Sequence, residues 1–192
     1  MARPREYDRQ EVISKATHLF WKKGFEATSM SELIAATGLN SASLYKEFGN
    51  KEGLYETALE NYRQRRLEPF LQPLVREPNW AGITEFLEGC RKTAENPDFM
   101  GCLMMNTLVE KNVVGLGAFL RVEKFCVRLE TVLENAIRGA QREGVIPAQR
   151  NPATLAHYLA CMVHGLVLYG RVEEHQSHVG DIIETIQGTL RG

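Results

Sequence analysis

Residues 28–51, TSMSELIAATGLNSASLYKEFGNK, read as two short helices joined by a tight turn, with a third helix beginning at their end. In residues 31–37 (SELIAAT), apolar Leu33 and Ile34 share a face with small Ala35 and Ala36 beside them. Gly38 supplies the permissive backbone that a helix C-terminus favours. Leu39 follows as an apolar plug, and Asn40 or Ser41 can cap the next helix. Residues 41–48 (SASLYKEF) place Leu44 and Phe48 four apart, so one face is buried and Ser41, Ala42, Ser43, Tyr45 and Lys46 look outward. Two short helices about a glycine turn, the second showing small polar and basic residues, make a helix-turn-helix.

These residues resemble the DNA-binding signature of TetR-family transcriptional regulators. The resemblance is carried by Thr28 and Ser29, by Ile34-Ala35-Ala36-Thr37-Gly38-Leu39, and by Ser41, Leu44, Tyr45, Phe48, Gly49 and Lys51; it extends from Arg9 to about Tyr62. It implies an all-α protein: a three-helix head over residues 1–52 that binds DNA, then a helical effector-binding and dimerisation domain over residues 53–192. It further implies a homodimeric repressor that leaves a palindromic double-stranded operator when a small molecule binds.

Each candidate contact has a physical rationale. Ser29 and Glu32 stand at capping-box spacing, so the serine caps the second helix; a phosphate contact by Thr28 and Ser29 at that positive helix end is what the resemblance implies. Ser41, Ala42 and Ser43 occupy the N-terminal end of the recognition helix, where base edges are reached. Ala42 allows close approach and can meet a thymine methyl. Tyr45 can reach a phosphate through its hydroxyl, and Lys46 offers a point charge. Lys51 sits in a first helical turn, where a cation opposes the helix dipole and so has no local stabilising role; that placement points to a phosphate. Arg5, with Arg3 across Pro4, belongs either to a solvated tail or to an arm that touches DNA.

The charge balance is modest for a DNA-binding chain. Through Lys51 there are eight cations against six anions, and the whole chain carries −1. A few well-placed phosphate contacts suffice to position a module, but strong non-specific binding is not expected. No apolar run approaches the ~18 residues that would span a bilayer. The charged N-terminus has no apolar segment behind it, and the expected location is cytoplasmic.

Beyond the head, helical periodicity continues and no strand-like alternation is found. Pro69 and Pro73 should break or kink the link that follows Tyr62. A helix over 116–144 is followed by a nearly all-apolar one opened by Asn151-Pro152, then a last helix over 179–190. A helix apolar nearly all round needs a second buried side. Paired with a second subunit, these last two helices make a four-helix bundle, with Leu155, Leu159, Val163, Leu166, Ile182 and Ile186 as the expected interface. An aromatic and Met-rich interior implies a small, largely apolar effector, with Tyr62, Phe86, Cys102, Met105, Phe125 and Tyr169 as candidate lining residues.

Cys90, Cys102, Cys126 and Cys161 form no C-x-x-C pair, and in a reducing compartment such residues act mainly as small buried hydrophobes. Gly101-Cys102-Leu103 resembles TetR-like sensors of oxidants or electrophiles, and a thiol at a helix N-terminus has a lowered pKa; Cys102 is therefore either a sensor or core packing. His157 and His164 share a helix face and read as core or interface residues, with no metal expected. Gly115-x-Gly117 follows no strand and is no phosphate loop, so no cofactor is expected. No acid–base pair or nucleophile arrangement supports an enzyme. A protein-interaction scaffold with a degenerate helix-turn-helix is the remaining alternative.

Overall fold

In the computed structural model, which describes residues 7–192, six helices open where a side chain satisfies orphaned backbone amides. The Asp8 carboxylate accepts from the backbone of Gln10 and Glu11 to open α1 (Arg9–Lys23). Ser29, Asn40 and Asn50 open α2 (Met30–Thr37), α3 (Ser41–Phe48) and α4 (Lys51–Tyr62), each accepting from an amide three residues on. Asn79 and Asn151 do the same for α6 (Trp80–Ala94) and α9 (Pro152–Tyr169). Each such cap is worth about 1 kcal/mol. The remaining α-helices are α5 (Glu68–Arg76), α7 (Leu103–Val109), α8 (Leu116–Arg142) and α10 (Val179–Arg191). The described residues contain no strand, so the all-α expectation holds.

Between α4 and α5 the backbone widens into a π-helical stretch, Arg63–Leu67. Pro69 lies in the first turn of α5 and Pro73 inside it. A proline ring clashes with the carbonyl four residues back, and the widened turn absorbs that clash for Pro69. The expected break is therefore a local change of helix type rather than a stop.

The chain forms two compact units. The first runs through Arg65 and includes Cys102–Glu123. Its core holds Phe20, Leu33, Leu44, Leu54, Tyr55, Ala58 and Leu59, with Leu103 and Met104 from α7, all fully buried. The second unit comprises Arg66–Gly101 and Lys124–Gly192. There α5 packs on α6, α6 on α9 and α10, and α9 on α10. Its buried residues include Leu71, Leu74, Ile83, Phe86, Leu87, Leu133, Ile137 and Leu159. Each large apolar side chain removed from water contributes about 1.5–3 kcal/mol.

The compact units divide the chain differently from the expected 1–52 and 53–192. Three helices alone leave Phe20 and Leu33 without a closed core. Leu54, Tyr55, Ala58 and Leu59 of α4 close it, and α7 adds a second layer from a distant part of the chain.

α9 needs a correction. It is 18 residues long with mean hydropathy 1.2 over its length, so by length and composition it reaches the size needed to cross a bilayer. Its periodic burial has a simpler cause. Leu155, Ala156, Leu159, Ala160, Val163 and Leu166 face the core of the second unit, while Thr154, His157, Cys161, Gly165 and Leu168 form an exposed stripe.

Candidate nucleic-acid interface

The geometry of the helix-turn-helix follows from its caps. Ser29 and Glu32 form a reciprocal box: the Ser29 amide donates to Glu32 Oε2 at 2.9 Å, and the Glu32 amide to Ser29 Oγ at 3.3 Å. Lys23 pairs with the same carboxylate. Its ammonium, followed by the Ser29 amide and hydroxyl, holds the Glu32 carboxyl down to about 2. The box is thus charged at neutral pH and is lost only as pH falls below the ordinary carboxylate range toward 2. Gly38 closes α2 in the left-handed region, with φ 75°. Asn40 then opens α3 by accepting from the Ser43 amide at 2.8 Å.

α3 is fastened on its inner side. Leu44 and Phe48 are buried, and Glu47 accepts from Arg9 Nε at 2.6 Å and from the Tyr7 hydroxyl at 3.2 Å. On its outer side Ser41, Ala42, Tyr45 and Lys46 are exposed and Ser43 is half-buried. Tyr45 is 45% exposed, an aromatic ring with no core to fill. These five expected base- and phosphate-facing residues therefore share one short helix, and Ser29 is exposed at the start of α2. Arg5 lies outside the described residues.

Thr28 differs from its expected role. It is fully buried, and its hydroxyl donates to the Gly24 carbonyl at 2.6 Å, closing the turn after α1. In this conformation its side chain offers nothing to a phosphate. Lys51 also departs from the argument made for it, because it has a local partner. Its ammonium donates to the Glu26 carbonyl at 3.3 Å and lies 4.4 Å from the centre of the Phe25 ring.

Two further residues that shape this site were not singled out in the sequence. Glu110, just past α7, accepts from the amides of Phe25 and Glu26 at 2.9 Å each. Tyr55 packs edge-on against Phe20, with ring centres 4.8 Å apart, and its hydroxyl meets Thr107 at 2.8 Å. Glu110 lies 84 and 85 positions from its partners, and no local spacing signals such a contact.

The candidate effector residues divide between the units. Tyr62, Cys102 and Met105 belong to the first, and Phe86, Phe125 and Tyr169 to the second. Tyr62, Phe86, Cys102, Met105 and Phe125 are buried, whereas Tyr169 is half-buried and stacks on His175 with ring centres 4.2 Å apart. A groove of about 340 Å³ in the second unit is lined by Leu74, Val75, Pro78, Arg128, Val132, Asn135, Arg138 and Arg142, none of them among the expected residues. Cys102 caps α7 as expected, but burial pushes its thiol up. The amides of Met105 and Met104 and the Tyr62 hydroxyl pull it back only in part, so the expected lowering is reversed. Cys161 is the exposed cysteine, on the outer stripe of α9.

The expected dimer residues also need correction. Leu155, Leu159, Val163, Leu166 and Ile186 are buried within the second unit itself, and Ile182 is half-buried. The most apolar face of each helix was the natural choice from sequence, but that face is the subunit's own core.

The model of bacterial regulatory proteins of the TetR family matches residues 12–58, which span α2 and α3 together with most of α1 and α4. The transcriptional repressor ComR of Escherichia coli is 29% identical over 174 residues, covering 88% of this chain and 82% of the relative. The repressor BdcR of the same organism is 35% identical over 106 residues, 54% of this chain and 53% of that protein. Among solved structures, a cysteine-substituted CifR, a TetR family transcriptional regulator in complex with a 26-bp double-stranded operator DNA, shares the fold. Its TM-score is 0.81 at 22% identity, covering 98% of this chain and all of that one. The reduced form of Escherichia coli NemR aligns with a TM-score of 0.83 at 16% identity over 94% of this chain and 95% of that one. With the helix-turn-helix signature realised as capped helices, residues 12–58 carry a helix-turn-helix domain of the TetR type of bacterial regulatory proteins, and the fold of the rest of the chain is the one these solved regulators share.

Proposed function

We propose that the chain is a DNA-binding transcriptional repressor, acting in the cytoplasm as a homodimer on a palindromic operator. The observation that carries this is the outer face of α3, where Ser41, Ala42, Tyr45 and Lys46 stand exposed on a helix whose other side is locked by Leu44, Phe48 and the Arg9–Glu47 pair. A recognition helix needs that combination: a rigid inner side and short, polar outer residues that admit the groove. The relatives named as repressors and the operator complex of a similar fold support the same reading. Phosphate contacts fall to Ser29, Tyr45, Lys46 and Lys51, while Thr28 acts by closing the turn. Ala42 and the serines read bases, with DNA shape adding specificity.

A mobility-shift titration on DNA from upstream of the protein's own gene, at several salt concentrations, tests this reading. Tyr45→Phe and Lys46→Ala should each weaken a site-specific shift, and Lys46→Ala should lower the salt slope by about one. Unchanged affinity in both variants would remove α3 from the interface.

The dimer is read from α9 and α10. The outward stripe Thr154, His157, Cys161, Gly165 and Leu168 is unusual for a solvent-facing surface. Gly165, mid-helix, has nothing within 4 Å of the place a Cβ would take. An exposed helical glycine costs about 1 kcal/mol relative to alanine, and close approach of a second helix would offset that cost. A two-fold axis would bring the same stripe of the partner into contact. Gly165→Glu should convert a dimer to a monomer in sedimentation velocity while leaving helix content unchanged; a dimer that persists would place the interface elsewhere. The effector is a small, largely apolar molecule, a reading supported by the Met- and aromatic-rich interior. Sensing through Cys102 is disfavoured by the burial that keeps its thiol protonated.

A further inference from the structure

We propose that Glu110 is a positioning residue for DNA binding, which sets the place of Lys51 through the backbone of Phe25 and Glu26. The inference rests on the DNA-binding reading of the helix-turn-helix. The Glu110 carboxylate accepts from the Phe25 and Glu26 amides, both at 2.9 Å. From the other side of the same residue, the Glu26 carbonyl accepts from Lys51 Nζ at 3.3 Å. The turn between α1 and α2 is thus held between an anion on its N–H groups and a cation on its carbonyl. Each charge meets the end of the peptide dipole that suits it, which makes these charge-assisted bonds stronger than neutral ones.

The surroundings are built for this contact. Gly24 has φ +87°, and a Cβ there would come within 2.9 Å of Glu110 Oε1, so the carboxylate occupies the space that only glycine leaves. The Lys51 ammonium lies over the Phe25 ring, whose backbone Glu110 also holds. Tyr55 and Thr107 join α4 to α7, which fixes the segment that delivers Glu110. Released from these partners, the Lys51 side chain would regain rotamer freedom that DNA binding would have to remove again.

Elementary electrostatics and this positioning role predict opposite signs. Removing a negative charge from a DNA-binding unit should strengthen binding through the phosphate backbone. Loss of a positioning residue should weaken it. The test uses the full-length chain and its operator, with affinity read by fluorescence anisotropy over a salt series. Glu110→Gln keeps the side chain's size, removes the charge and sets its NH2 donor against one of the two backbone N–H groups, leaving a single acceptor for the other. It should bind about tenfold more weakly, with a salt slope smaller by about one. Lys51→Ala should add little further loss in that background, whereas Lys46→Ala should add its full effect.

A merely structural role would give additive losses for both lysines and an unchanged slope. Glu110→Asp, which keeps the charge and shortens the reach, serves if the glutamine variant loses its helical circular dichroism; it should show the same coupling to Lys51 with a smaller loss. Binding of Glu110→Gln as tight as wild type or tighter, or additivity with Lys51→Ala, overturns the proposal while leaving the DNA-binding reading intact. Absence of any specific, salt-dependent binding by the wild-type chain would instead sink that reading, and this proposal with it.

Discussion

Tyr55→Ala should destabilise the first unit by about 3–5 kcal/mol, the usual consequence of deleting a buried aromatic side chain. Tyr55 is fully buried and lies against both Phe20 and Phe25, with ring centres 4.8 and 4.9 Å away. Its hydroxyl adds a directional bond. Thr107 donates its single hydroxyl proton to the Leu103 carbonyl at 2.7 Å, so Tyr55 must be the donor in the 2.8 Å contact between them. Measured against a typical total stability of about 5–15 kcal/mol, the alanine variant would be largely unfolded near physiological temperature. Urea denaturation should show the loss directly, and operator binding should fail in parallel.

Tyr55→Phe separates the ring from the hydroxyl. It should cost only about 1 kcal/mol, because the ring stays and Thr107 merely loses a donor. Burial pushes the Tyr55 phenol up to about 12, and Thr107 only partly opposes that. The phenol therefore keeps its proton in the folded chain beyond its ordinary value of 10. Its contribution should be complete below pH 10 and fade as pH rises toward 12. A phenylalanine variant that matched wild-type stability at neutral pH would show that the link between α4 and α7 has no energetic weight.

Gly139→Ala should carry a large penalty in the second unit, against the usual trend. Alanine normally stabilises a helix interior by about 1 kcal/mol relative to glycine. At position 139, however, a Cβ would sit 1.7 Å from the Pro78 carbonyl oxygen and 3.0 Å from Asn79 Cα. Both obstacles are backbone, so neither can rotate away. α8 or the turn before α6 would have to move, and Trp80 would lose its bond to Glu143, now 3.1 Å from amide to carboxylate. Overpacking of this kind costs about 1–3 kcal/mol or more, which outweighs the gain in propensity. Thermal unfolding followed by circular dichroism should show a lower midpoint than wild type. A higher midpoint would mean that α8 can shift freely at this contact.

Much of the DNA-binding face was legible in the sequence because its determinants are local. A cap reaches three residues, and a helical face repeats every three or four. Ser29 can therefore be placed as a cap, the next cap narrowed to Asn40 or Ser41, and Leu44 and Phe48 assigned to the inner side of α3. Thr28 went the other way: its hydroxyl suits a phosphate or a carbonyl equally well, and only the fold of residues 24–28 chooses the Gly24 carbonyl. The dimer residues show the same limit. Hydrophobicity identifies α9 as buried on most sides, but it does not say which side belongs to the subunit's own core. For Cys102 the sequence leaves sensor and core packing both open, because a helix N-terminus lowers a thiol pKa whereas burial raises it, and burial is a property of the packed chain.

By itself the sequence determined the all-α class, the helix-turn-helix with its caps, and the residues exposed on the recognition helix. These follow from contacts within about four residues along the chain. Only the tertiary structure decided that α7 and the residues after it belong with the DNA-binding helices, that Glu110 holds the turn before α2, and that the inner stripe of α9 is core. Each of those depends on residues tens of positions apart meeting in space, and such a meeting leaves no periodicity in the chain to read.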